Sequence, residues 1–214
     1  MRPVSRFSLL AYAMAFAVGA TALPSLAQPG LRNTFPGRRV GGGTRGECSA
    51  RLIAHLVPAD SVFAAGPSRL LGILQGPSAN PYPMQTSFRP QKPAAAPALA
   101  SLTLPASPAG IVLIQQPKLP GPTLWESTYQ CPTAPTSASD DPFSFISAES
   151  PPALSLLLPE VTPADSTSQQ ALQQLRQRCG GSISREEVAR LFGMADVIQS
   201  EAEWPAQLPV RCPS

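Results

Sequence analysis

Proline decides what this chain can be built from. There are 27 prolines in 214 residues, and through the first three quarters of the sequence they cut the apolar residues into short runs. Proline lacks an N–H and clashes with the preceding helical turn, so long helices are excluded there. Short apolar runs bounded by proline, glycine or serine suit many short strands instead. The strand candidates are 48–57, 69–74, 99–104, 110–115, 123–131, 142–147 and 153–158, with irregular connectors at 91–97 and 132–141. Proline and glycine together make about a fifth of the chain, below the roughly 25–30% that marks a disordered sequence.

The N-terminus reads as a secretory signal. Arg2 and Arg6 supply positive charge, residues 7–22 form an uncharged run, and Ser25-Leu26-Ala27 presents small residues for cleavage after Ala27. The run is too short to span a bilayer comfortably, and no later stretch is long and apolar enough to do so. The expected product is secreted or periplasmic, with a loose N-terminus at 28–36, a β domain at 37–158 and a helical region with tail at 159–214.

Charge divides unevenly along the mature sequence. Residues 28–100 carry eight basic and two acidic side chains, and residues 101–214 carry six basic and eleven acidic ones. Either the halves attract each other in the fold, or a basic face meets an anionic envelope polymer or lipid headgroups. Nucleic acid is a poor partner for an exported chain whose arginines are not interleaved with aromatics. The four cysteines, Cys48, Cys131, Cys179 and Cys212, all follow the leader. An even number in an oxidising compartment predicts two disulfides, and the lack of any Cys-x-x-Cys spacing argues against zinc. No cofactor is implied.

The segment Gly37-Arg38-Arg39-Val40-Gly41-Gly42-Gly43-Thr44-Arg45-Gly46-Glu47-Cys48 concentrates glycine and arginine. It spells G-x-G-x-x-G, but lacks the strand before and the helix after that a dinucleotide site requires. A turn needing positive φ and close backbone approach is expected, with an anion-binding nest flanked by Arg39 and Arg45 as the alternative. Alternation from Cys48 puts Leu52, Ala54 and Leu56 on its own face; Arg51, Ile53, His55 and Val57 take the other. His55, the one histidine, is expected at the surface beside Arg51. In the strand at 123–131, Trp125, Ser127, Tyr129 and Cys131 share a face. Two such faces meeting across a sandwich predict a Cys48–Cys131 bridge with Trp125 and Tyr129 packed near it.

Arg39 to Gly46 with Cys48 resembles the opening motif of a cyanobacterial family of exported proteins, the domain of unknown function family 928. Leu56-Val57-Pro58, Pro108 to Val112, and Trp125 six residues before Cys131 follow in that family's order. The resemblance covers about 37–131 and implies export and a β-rich domain. It implies no chemistry.

The last fifty residues change character. Leu172, Leu175 and Cys179 recur with helical spacing, with Ser166 and Gln169 as a capping box and Gly180-Gly181 as the stop. A second box, Ser184 to Glu187, opens an apolar stripe of Val188, Leu191, Phe192, Ala195 and Ile198, interrupted by Gly193. These form an expected helical hairpin, with Trp204, Leu208 and Val210 packing the tail onto it and Cys179–Cys212 stapling it.

Adjacent carboxylates at Glu186-Glu187 and Asp140-Asp141 point apart and make no catalytic pair. No Gly-x-Ser-x-Gly elbow is present. The expectation is therefore a mainly β protein, an antiparallel, immunoglobulin-like β-sandwich with a small C-terminal helical hairpin. Its work would be non-enzymatic binding or support, with Arg38, Arg39, Arg45 and Arg51 as the contact surface. A hydrolase whose groups converge only in three dimensions is one alternative. An accessory subunit docking a partner through Val188, Leu191 and Phe192 is the other.

Overall fold

Alternating apolar residues and frequent turns give a mainly β chain, and the computed structural model describes residues 29–42, 51–93, 96–131, 151–199 and 203–212. In chain order the elements are α1 (Pro29–Thr34), β1 (Val40–Gly41), β2 (Ile53–His55), β3 (Val62–Phe63), β4 (Leu70–Gln75), β5 (Met84–Pro90), β6 (Ala100–Leu104), β7 (Gly110–Gln115), β8 (Thr123–Tyr129) and β9 (Ala153–Leu157). Then follow α2 (Ser166–Gln177), β10 (Ser182–Ser184), α3 (Arg185–Phe192), α4 (Ala195–Gln199) and β11 (Gln207–Arg211). The expected strand at 142–147 lies outside the described residues.

The strands form two sheets. One has the order β1-β2-β4-β7-β11-β10, the other β3-β9-β8-β5-β6. They are mixed rather than purely antiparallel, because β7–β11 and β3–β9 run parallel. The antiparallel expectation therefore fails at those two pairings. In both, the later strand enters its sheet from a long connection instead of a hairpin.

The sheets face each other through β2, β8 and β9. Trp125 and Ser127 of β8 and Ser155 of β9 meet His55 of β2. The opposite face of the six-stranded sheet is covered too: Leu172 of α2 sits over Gly72 of β4. A helix layer on one sheet thus makes three layers, and β2 and β4 are buried on both faces.

The C-terminal region is woven into this arrangement. A strand, β10, occupies the turn of the expected hairpin, and β10 and β11 extend the six-stranded sheet. The tail residues Trp204, Leu208 and Val210 are buried as expected. Gly193 does not interrupt a helix; at φ 57° it is the left-handed cap that ends α3. Ser184 caps α3 by accepting from the Glu187 N–H. The Glu187 carboxylate does not fold back on the cap but takes a two-pronged hydrogen bond from Arg178, which holds its pKa below the usual carboxylate range. The first box is Thr162 with Asp165, one turn earlier than the Ser166 and Gln169 expected.

The glycine motif is described as far as Gly42. A Cβ on Gly41 would lie 2.2 Å from the Ala153 nitrogen, and at Gly42, where φ is 104°, a Cβ would lie 2.6 Å from the Arg51 carbonyl oxygen. These are the close approach and positive φ expected of a structural turn. Gly41→Ala should therefore separate β1 from the start of β9 and cost about 1–3 kcal/mol in urea unfolding. A change below about 0.5 kcal/mol would show that the approach can relax freely.

Candidate functional site

His55 is the residue the structure treats most differently from the sequence reading. It is fully buried between the sheets, not at the surface. Its ring stacks on Trp125 at 3.5 Å between centroids and 5° between planes. Its Nδ1 lies 2.9 Å from Ser155 Oγ and its Nε2 2.9 Å from Ser127 Oγ.

Neighbouring groups fix the proton positions. Thr86 Oγ1 donates to the Glu126 carbonyl and accepts from Trp125 Nε1 and from Ser127 Oγ. The Ser127 proton is thereby used, so Ser127 accepts from His55 Nε2–H. Nδ1 then carries the lone pair and accepts from the Ser155 hydroxyl. The chain of donors runs one way, from Ser155 through His55, Ser127 and Thr86 to a backbone carbonyl. Burial pushes the His55 pKa well below its ordinary value, so the ring is neutral in the fold.

A serine hydroxyl pointing at an imidazole lone pair is the geometry of a nucleophile and its base. Here both serines and the histidine have no exposed surface. A substrate carbonyl has no route to Ser155, and the ring is oriented by a hydroxyl rather than by a carboxylate. What this constellation does is join β2 of one sheet to β8 and β9 of the other with satisfied polar bonds.

The arginines expected to form a contact surface diverge. Arg38 is exposed and its backbone bridges to Leu154. Arg39 turns inward, donating to the carbonyls of Val57, Phe192 and Gly193 at 2.8–2.9 Å, and burial lowers its pKa. It closes the C-terminal end of α3, where unpaired carbonyls favour a cation. Arg51 is 4% exposed, donates to the carbonyls of Gly76 and Ser107, and lies over the Tyr129 ring. Arg51 is therefore no part of a contact surface. Arg45 and Cys48 lie outside the described residues.

Cys179 and Cys212 are bonded to each other, as expected. Cys131 is a disulfide cysteine too. It sits exposed just past β8, not on a dry interior face, and Trp125 packs on His55. Val188 is fully buried, Phe192 is 5% exposed and Leu191 is half-buried against the core, so the α3 stripe packs against the body.

One buried charge escaped the sequence reading. Asp165 has no exposed surface and receives Arg32 Nη2 at 2.5 and 2.6 Å on its two oxygens. It also accepts from the Ala64 N–H, the Thr162 N–H and the Thr162 hydroxyl. Arg32 further donates to the Val62 carbonyl and to Asp60. The Thr162-x-x-Asp165 spacing was a visible capping signal; the partner 133 residues away was not.

Among the described residues no group of three His, Cys, Asp or Glu side chains could hold a metal ion, and no helix is long and apolar enough to cross a membrane. The chain matches no protein-family model, no curated protein and no solved structure.

Proposed function

We propose that this chain is an exported cell-envelope protein whose role is binding or structural support, with a protein rather than an anionic polymer as its partner. The observation that carries the reading is the sealing of His55. The histidine and the two serines within its reach are fully buried, so the arrangement serves cohesion between sheets. The turning inward of Arg39 and Arg51 removes half of the cationic surface that an anionic polymer would need. The Cys179–Cys212 bridge fits an oxidising compartment. The leader ending at Ala27, the Cys48–Cys131 bridge and the likeness to the exported family belong to the same reading.

Two measurements test it. Non-reducing peptide mapping of protein from the periplasm or medium should return an N-terminus at Gln28 and both bridges, Cys48–Cys131 and Cys179–Cys212. An intact leader on a reduced chain would overturn the export reading. A fluorophosphonate probe applied to the native protein should leave Ser127 and Ser155 unlabelled. Stoichiometric labelling of Ser155 would restore the hydrolase reading.

A further inference from the structure

Among the described residues the two sheets end in four edge strands, and three of them are short. β1 and β3 have two residues each and β10 has three. Brevity is one of the ways proteins keep edges from pairing with other chains; charge, proline and bulges are others. β6 is the exception. It has five residues, pairs with β5 on one side, and has no strand on the other among the described residues.

Nothing in its side chains discourages a neighbour. No charged residue lies between Lys92 and Lys118, so the whole segment around β6 is neutral. Two of the exposed large apolar side chains are here, Leu99 at 46% and Leu102 at 40%. Ser101 and Thr103 within the strand are exposed too.

We infer that β6 is a dimerisation edge, pairing antiparallel with β6 of a second copy of this chain. The strand's own sequence selects that occupant. A two-fold axis at Leu102 sets Leu102 against Leu102, Ser101 against Thr103, and Ala100 against Leu104. The pairing of Thr86 with Leu102 puts Leu102 on the same face as buried Thr86, so the two leucines cover each other at the rim of the inter-sheet core. On the other face the hydroxyls of Ser101 and Thr103 meet, a pairing that strands favour. A neutral strand meets its copy without repulsion, whereas a charged partner strand gains nothing from it. The interface is isologous, as a two-fold requires, and joins two five-stranded sheets into one. It does not depend on where in the cell the protein works.

The register gives a direct test on the full mature chain, by light scattering coupled to size exclusion. Wild type should dimerise in a concentration-dependent way below about 1 mM. Leu102→Lys and Leu102→Glu should each be monomeric, with like charges opposed at the axis. An equimolar mixture of the two should return a one-to-one dimer. Thr103→Lys, on the exposed face, should weaken the wild-type dimer at least about tenfold while leaving the unfolding midpoint unchanged. The inference is overturned by a wild type that stays monomeric at about 1 mM, which would leave the edge to a strand of another protein. It is equally overturned by charge variants that dimerise like wild type, or by a mixture that fails to pair.

Discussion

Replacing Asp165 with alanine should destabilise the protein by about 3–5 kcal/mol, because it removes one partner of a buried ion pair and leaves the other in place. Asp165 has no exposed surface and the Arg32 side chain is only 12% exposed, so water cannot take over the lost contacts. Arg32 would keep only the Val62 carbonyl and Asp60 at 3.4 Å. The N–H groups of Ala64 and Thr162 would lose their acceptor, each at about 1–3 kcal/mol if no water reaches it. For a chain of this size the midpoint should fall by roughly 10 °C. Arg32→Ala should cost less, since Asp165 retains three other donors, the N–H groups of Ala64 and Thr162 and the Thr162 hydroxyl. The double variant should fall short of the sum of the singles by more than about 1 kcal/mol. Proteolysis should also cut faster around 29–37 in all three, because Arg32 is what ties α1 to the body. An Asp165→Ala protein within about 1 kcal/mol of wild type would show that the pair contributes little net stability.

Period-two alternation made much of the sheet framework readable. The strand predicted at 110–115 coincides with β7, and β2, β4, β6, β8 and β9 fall within or one residue beyond the predicted runs. The two longest strands that the pattern misses, β5 and β11, are hidden for different reasons. β5 carries Gln85, Ser87 and Arg89 on its outer face and ends at Pro90, so few apolar residues mark it. β11 contains Pro209, which argues against a strand when seen alone, yet it lies between β7 and β10.

The misplacement of His55 has a different origin. The alternation was right, and His55 does oppose the face of Leu52, Ala54 and Leu56. Assigning one face to water was the error. In a two-layer sandwich one face of a strand is solvated, but here α2 covers the Leu56 face of the sheet and the second sheet covers the His55 face. Arg51 was misread for the same reason. The Arg32–Asp165 contact was illegible on other grounds, since no local pattern couples residues 133 apart. Sequence periodicity reports on each strand's own geometry; which layer covers each face is a property of the assembled chain.

The inter-sheet face that holds His55 sets the second large effect. His55→Ala should cost about 2–4 kcal/mol, combining a cavity against Trp125 with two hydroxyls left without the ring. The wild type should also weaken in acid with a definite sign. In the fold both ring nitrogens are engaged by hydroxyls and burial holds the pKa well below 6.5, so His55 binds no extra proton. In the unfolded chain it titrates near 6.5. Below that pH the unfolded state holds one more proton than the folded state, so stability falls with falling pH. The slope is about 1.4 kcal/mol per pH unit, from the unfolded value down to the folded one. Above about pH 7 both states are neutral at this residue and its contribution is constant. His55→Phe keeps a ring on Trp125 but cannot be protonated, so its stability profile should lack this slope. Urea unfolding of both proteins between about pH 5 and 8 separates the histidine from the carboxylates they share. The two curves should run parallel above about pH 7 and converge below 6.5 as the wild type loses its advantage. If they stay parallel down to about pH 5, the ring is not held neutral by the fold, and the one-way donor chain from Ser155 to the Glu126 carbonyl is wrong.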